Sequence, residues 1–388
     1  MRRLAAWLVF AGLLIAPAGA SAQQPAAARP SPPAVVTTSR PAPALGAAAG
    51  ILVDASDGSI LWERNSHARR AVASTTKILT ALVVLEQAEL DDVVIASARA
   101  EAVGANDPLV TELELVQGER MSVQNLLYGL LLPSGSDAAV ALAEHVGGSI
   151  AGFARLMNER AREAGAAESN FTNADGLDDP AAYSTAYDLA QITRAAMANA
   201  QFRRIVATPR FTIPRPGGPP REVVNRNELL GRVPGVNGVK TGNTRNAGRS
   251  LVASAQRESE ERIAVILGSP DPFAESAALL NFGFAGFQRY EIVGKNRPWG
   301  QLTYGDGTTV QLVSRQDVGV LLGANSPPPR MRYRPAQGEL VVDVRGGLTV
   351  PLEMRCAGTQ QVCGRPERRW APLAALISLF GPVLGALR

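Results

Sequence analysis

Histidine and cysteine are almost missing from this 388-residue chain, with two of each. The histidines, His67 and His145, stand far apart and in no HExxH arrangement. A catalytic zinc site built on a helical histidine pair is therefore not expected. The cysteines, Cys356 and Cys363, bracket one short loop. In an exported chain a disulfide closing that loop and a pair of free thiols both stay open. No dense lysine or arginine run occurs, and aromatic residues make up only 5% of the chain. The formal net charge of +4 is thus a mild excess, which points to a solvated basic surface and to no nucleic-acid partner. No internal repeat is evident. What remains, 46% hydrophobic and 19% charged residues, is ordinary globular composition, long enough for a sizeable core and more than one domain.

Five segments follow from the patterning. Residues 1–22 read as a secretory signal peptide: Met1-Arg2-Arg3 is a positive start, residues 4–15 are apolar but short for a span, and Ala20-Ser21-Ala22 is a small-residue cleavage site. No cysteine stands at that site, so lipoprotein processing is not expected. Residues 23–47 are rich in Pro, Ala and Ser without apolar periodicity, as a disordered tether would be. The main folded domain is expected over 48–288. Ile51-Leu52-Val53-Asp54 and Ile60-Leu61-Trp62 flank a Ser56-Asp57-Gly58 turn, which predicts a hairpin. Residues 74–86 are apolar almost all round, as in a helix buried at the middle of a domain. Further helices are expected at 123–131, 137–146, 150–164, 185–198 and 275–282, and buried strands at 251–255 and 263–267. Strands at both ends with helices between predict an α/β fold whose first and last strands pair, with a helical subdomain alongside. Residues 289–366 read as a small β domain, including a hairpin of 341–344 with 348–352. Residues 367–388 carry large apolar residues at helical spacing and no charge between Arg369 and Arg388. This predicts a helix lying in the membrane interface; a helix docked on the protein's own core is the alternative.

Three short motifs carry the chemistry. In Ala73-Ser74-Thr75-Thr76-Lys77, residues three apart at a helix start share a face, so the Lys77 amine can reach the Ser74 hydroxyl. Burial in an apolar helix lowers a lysine pKa, and a neutral Lys77 can take the Ser74 proton with no histidine involved. Alone, Ser-x-x-Lys is common and usually means an N-cap beside a solvated lysine. The second motif, Ser134-Gly135-Ser136-Asp137, precedes a helix and would cap it well. It also fits a loop in which Ser134 relays protons and Ser136 holds a substrate amide. The third, Lys240-Thr241-Gly242, is expected on an edge strand that can pair with an extended peptide, with Lys240 and Thr241 facing a terminal carboxylate.

All three, in this order and spacing in an exported chain, resemble the active-site motifs of the penicillin-recognising serine enzymes. The stretch 49–284 is similar, more narrowly, to the D-alanyl-D-alanine carboxypeptidases of low molecular mass. Met157-Asn158, Tyr183-Ser184-Thr185-Ala186 with Asp188, Asn225-Arg226-Asn227 and Gly238-Val239-Lys240-Thr241-Gly242-Asn243-Thr244 support it. The resemblance implies an antiparallel sheet with helices on both faces. It implies that Ser74, Lys77 and Ser134 are catalytic, and that Ser136, Arg226, Lys240, Thr241, Gly242 and Asn243 bind substrate. The main-chain N–H groups of Ser74 and Asn243 would form the oxyanion hole. The reaction would need no metal or organic cofactor. The partners would be the peptidoglycan stem peptide, β-lactam inhibitors, and the outer face of the cytoplasmic membrane through the C-terminal helix.

Three departures stand out. Ser136 replaces an asparagine that the family usually has, and a shorter side chain with one donor predicts looser positioning unless Asp137 compensates. Asn173-Ala174-Asp175-Gly176-Leu177 departs from the usual Asn-Pro-His-Gly-Leu. Ser269-Pro270-Asp271 stands where the family often has an arginine, so carboxylate recognition is expected to lean on Arg226 or Lys240. A β-lactamase would need a glutamate-bearing loop, which is not found here. Endopeptidase action on cross-links, and a binding relative that has lost turnover, remain the competing readings.

Overall fold

The computed structural model describes residues 35–356, apart from 105–106, 216, 305–306, 335–336 and 345–346, together with residues 377–378. The expected signal peptide lies outside the described residues, as does Cys363.

A five-stranded antiparallel sheet organises the molecule. Its strands are β1 (Ala49–Asp54), β2 (Ile60–Arg64), β3 (Val236–Thr244), β4 (Gly248–Arg257) and β5 (Glu260–Leu267), in the order β2-β1-β5-β4-β3. The first strand pairs with the last, Ala49 opposite Leu267 and Asp54 opposite Arg262, as expected. Side chains alternate between the two faces with the period of two that a strand imposes. Ile51, Val53 and Val265 join one apolar cluster, while Leu52, Ala264 and Ile266 join another. Both faces of β1 and β5 are therefore buried, and helices cover each side.

One face carries the helical subdomain. Its axis is α1 (Lys77–Gln87), buried continuously from Lys77 to Val84 as its all-round apolar sequence requires. Around it pack α2 (Val123–Leu131), α3 (Ser136–Gly147), α4 (Ile150–Glu163) and α5 (Ala186–Ala198). The sequence placed α2 to α5 within a residue or so, and the expected 74–86 helix begins as a 3₁₀ turn, with α1 starting at Lys77. Ser122, Ser149 and Thr185 cap three of them by accepting from main-chain N–H groups at Asn125, Gly152 and Asp188. The opposite face holds α6 (Pro272–Gly286), longer than the expected 275–282 because Asp271 caps it on the Ala274 N–H and Pro272 fits its first turn. Two short helices, Ala98–Ala102 and Ala200–Val206, and two ribbons, Val93–Ile95 with Arg120–Ser122 and Arg210–Ile213 with Arg221–Val224, were not foreseen. Each is too short to show a period.

From Phe287 onward the regular elements among the described residues are all strands. The foreseen hairpin is Glu339–Asp343 against Leu348–Pro351. A third apolar cluster, which includes Trp299, Leu312, Leu340 and Val350, holds these strands together. The tail expectation needs correction at two residues. Ile377–Ser378 form a strand against Gln301 and Leu302 instead of a helix. The Pro298–Thr303 strand has an open edge there, and backbone pairing satisfies it. The rest of the tail lies outside the described residues. Among the described residues no helix is long and apolar enough to cross a membrane.

Candidate active site

The Ser74 turn is set up by its neighbours. Ala73–Thr76 form a 3₁₀ turn that leads into α1, and Ala73 has φ of 50°, a left-handed value that a non-glycine residue adopts only when held there. Two glycines hold it. A Cβ on Gly176 (φ 78°) would lie 2.0 Å from the Ala73 carbonyl oxygen. One on Gly242 would lie 3.1 Å from the Val72 oxygen and 3.2 Å from the Ala73 Cβ. Only at these positions can the Asp175-Gly176 turn and strand β3 close in on both sides of the serine.

Lys77, three residues on, is fully buried. Its Nζ donates to Ser74 Oγ at 2.9 Å, to Ser136 Oγ at 3.2 Å and to the main-chain oxygen of Asp175 at 2.7 Å. Burial lowers its pKa to about 8, the Asp175 and Asp137 charges resist that shift, and Arg226 adds to it. Roughly a tenth of the amine is thus neutral at pH 7, far more than for an ordinary lysine, and it stands beside a hydroxyl.

Ser134 sits just before α3 with φ of 81°, a second strained residue at the same place. Its hydroxyl makes no hydrogen bond among the described residues. Ser136 opens α3 and accepts from Lys77, which leaves its O–H to donate. Asp137 does not compensate for the missing asparagine: its buried carboxylate accepts the main-chain N–H groups of Leu113, Leu115 and Ala138. It pins residues 113–115 to α3 and is not available to substrate.

Strand β3 is an edge strand, as expected. The buried Lys240 donates from Nζ to the Thr241 carbonyl at 2.9 Å. Burial pushes its pKa well down, and the Lys77 and Arg226 charges push it further. Arg226 Nη1 donates to Thr111 Oγ1 at 2.6 Å. Ser74, Ser134, Ser136, Arg226, Thr241, Gly242 and Asn243 all line one cleft of about 280 Å³. Lys77 and Lys240 stand behind its wall. The structure therefore brings together all nine residues singled out from sequence. It adds three features: the Asp175 carbonyl as an acceptor for Lys77, the Pro108–Thr111 stretch as a rim, and Arg249 on β4. The Asp175-Gly176 pair carried a turn signal, but nothing local in sequence marked the other two. Among the described residues no group of three or more His, Cys, Asp and Glu side chains is placed to hold a metal ion.

Comparison with known proteins agrees with this geometry. Residues 35–271 match the family described as D-alanyl-D-alanine carboxypeptidase. The D-alanyl-D-alanine carboxypeptidase of Streptomyces sp. strain K15 is 36% identical over 302 residues, 74% of this chain and 99% of that relative. The D-alanyl-D-alanine carboxypeptidase DacA of Haemophilus influenzae is 34% identical over 286 residues, 71% of this chain and 72% of its own. Among solved structures, penicillin binding protein 5 from Haemophilus influenzae superposes with a TM-score of 0.70 at 30% identity, covering 81% of this chain and 98% of that one. The chain belongs to the D-alanyl-D-alanine carboxypeptidase family of serine peptidases.

Proposed function

We propose that this protein removes the terminal D-alanine from peptidoglycan stem pentapeptides, with Ser74 as nucleophile, Lys77 as its base and Ser134 as proton relay. The observation that carries the reading is the 2.9 Å contact between the buried Lys77 amine and the Ser74 hydroxyl. Neutral Lys77 takes the Ser74 proton as Oγ bonds to the carbonyl carbon between the two D-alanines. The main-chain N–H groups of Ser74 and Asn243 receive the negative charge that develops on the carbonyl oxygen. The C–N bond then breaks, and the departing amine takes a proton through Ser134, whose hydroxyl faces the cleft. Water attacks the acyl-serine in a second step, frees the shortened peptide and restores Ser74. β-Lactams would acylate the same oxygen. Gly242 lets β3 approach, so an extended peptide can lie along its edge.

The test is release of free D-alanine from a pentapeptide muropeptide by the purified protein, with Ser74→Ala alongside. Release only by the unsubstituted protein is expected, and equal release by both would refute the nucleophile. Export rests on residues 1–22, and attachment to the outer face of the cytoplasmic membrane rests on the uncharged stretch 370–387. Deleting residues 368–388 should move the protein from the membrane pellet to the supernatant. An unchanged distribution would remove the tail from consideration.

A further inference from the structure

A peptide substrate extends beyond the two residues between which it is cut. With the reacting carbonyl at the Ser74 and Asn243 N–H groups and the peptide terminus toward the Lys240-Thr241 end of β3, the earlier residues run the other way, past Asn243 and Thr244. The two D-alanines carry only methyl groups. The residue before them is the first with a side chain long enough to present a functional group.

A second groove, of about 500 Å³, opens on that side. It adjoins the catalytic cleft and shares with it Leu109, Val110, Leu177, Asn243 and Thr244. Its charged lining residues are Asp107, Asp178 and Arg245, whereas Arg226 and Arg249 line the catalytic cleft and not this groove. The three charges differ in what they have left to give. Asp178 is committed: it accepts from Thr244 Oγ1 at 2.7 Å and from the Asn246 N–H at 3.2 Å, which fixes the turn after β3. Asp107 Oδ1 accepts the Leu109 N–H at 3.0 Å, and its Oδ2 accepts nothing among the described residues. Arg245 is 73% exposed, and its Nη2 stands 3.8 Å from Asp107 Oδ1, beyond hydrogen-bond length. Its guanidinium donates no hydrogen bond among the described residues. Behind the groove, the buried Oε1 of Glu112 also lacks a partner, and a methyl on the lining residue Gly104 would lie 2.9 Å from it. One rim of the groove is thus negative and the other positive, with neither charge saturated. Leu109, Val110 and Leu177 supply apolar surface between the rims and the serine.

We propose that this groove is the subsite for the residue preceding the two D-alanines, and that it selects a diamino acid whose side chain ends in both an ammonium, held by Asp107, and a carboxylate, held by Arg245. A guanidinium fork matches a carboxylate, and an unfilled carboxylate oxygen accepts from an ammonium. The proposal rests on the carboxypeptidase reading and adds to it the class of peptide that is cut.

The experiment uses three peptides ending in D-Ala-D-Ala that differ only at the preceding residue: diaminopimelate with both end charges, lysine with the ammonium alone, and norleucine with neither. kcat/KM for D-alanine release is measured on each for the full-length protein, Arg245→Gln and Asp107→Asn. Ratios are taken within one protein, so a loss common to all three peptides cancels. An exposed charge pair is worth a factor of roughly two to five, so the unsubstituted protein should rank diaminopimelate above lysine and lysine above norleucine by about that factor at each step. Arg245→Gln should make diaminopimelate and lysine equal while lysine stays ahead of norleucine. Asp107→Asn should remove the lead of lysine over norleucine. Equal rates on the three peptides, a lysine peptide cut at least as fast as the diaminopimelate one, or ratios unchanged in both variants would each overturn the assignment. If the unsubstituted protein releases D-alanine from none of them, the carboxypeptidase reading fails and the subsite falls with it; release at equal rates removes the subsite and leaves that reading standing.

Discussion

Lys77 Nζ lies 2.7 Å from the main-chain oxygen of Asp175 and 2.9 Å from the hydroxyl of Ser74, so the base is held by a carbonyl as well as by the nucleophile. The carbonyl accepts from the amine whatever the substrate does, and the lone pair that remains on a neutral amine is the one Ser74 needs.

That arrangement has a definite pH signature. The folded pKa of Lys77 is lowered to about 8, chiefly by burial, so the ammonium predominates below that pH and the neutral amine above it. kcat/KM for D-alanine release should rise roughly tenfold per pH unit on the acid side and level off above about pH 8. A profile level across that limb would rule Lys77 out as the base.

Ser136 accepts from the same amine at 3.2 Å, which favours the charged form of Lys77. Ser136→Ala removes that acceptor. The acid limb of the pH profile should then move to lower pH, while acylation by penicillin at high pH changes little through this contact. A shift toward higher pH would contradict the hydrogen-bond direction.

Gly176→Ala adds a methyl 2.0 Å from the Ala73 oxygen at a φ of 78°. The backbone strain alone is about 1–3 kcal/mol, and relief of the clash must displace the turn that carries Ser74. Thermal unfolding should show a lower Tm, and penicillin labelling of the folded protein should slow. Unchanged values for both would mean that the turn can shift freely.

Arg262 is fully buried on β5 between Asp54 and Glu260, with Arg289 also within 3.0 Å of Asp54. Arg262→Met removes one of the two guanidiniums on the buried Asp54 carboxylate and should lower stability by less than the roughly 3–5 kcal/mol of a fully unpaired buried charge, because Arg289 remains, whereas Arg262→Met with Asp54→Leu should recover part of the loss. Denaturant unfolding of the two variants distinguishes them.

The parts of the fold readable from sequence are those with a local period. The alternation in β1 and β5, the all-round apolar α1 and the Ser74–Lys77 spacing each depend on neighbours within one turn or one strand. The parts that were misread depend on distant partners. Asp137 looked like a possible substrate ligand, but its oxygens are taken by Leu113 and Leu115, which sit in a loop far back in the chain. Arg249 reaches the cleft only through the register that sets it against Asn243. Ile377–Ser378 sit at helical spacing in an apolar run, yet an open strand edge competes for their backbone. Asp175 contributes an atom that every residue has, so no side-chain pattern could announce it.

The last of these has an evolutionary side. A carbonyl oxygen belongs to the main chain, and no codon change at position 175 can delete it. The anchoring oxygen is therefore insulated from substitution at its own site, although the Asp175 carboxylate still acts on the Lys77 pKa through its charge. Inherited changes that detune Lys77 must instead move the turn or alter the charges around the amine, that of Asp175 among them. Variants selected under β-lactam pressure would be expected to accumulate among those charges, Asp175 included, and around the turn, with the carbonyl itself left in place.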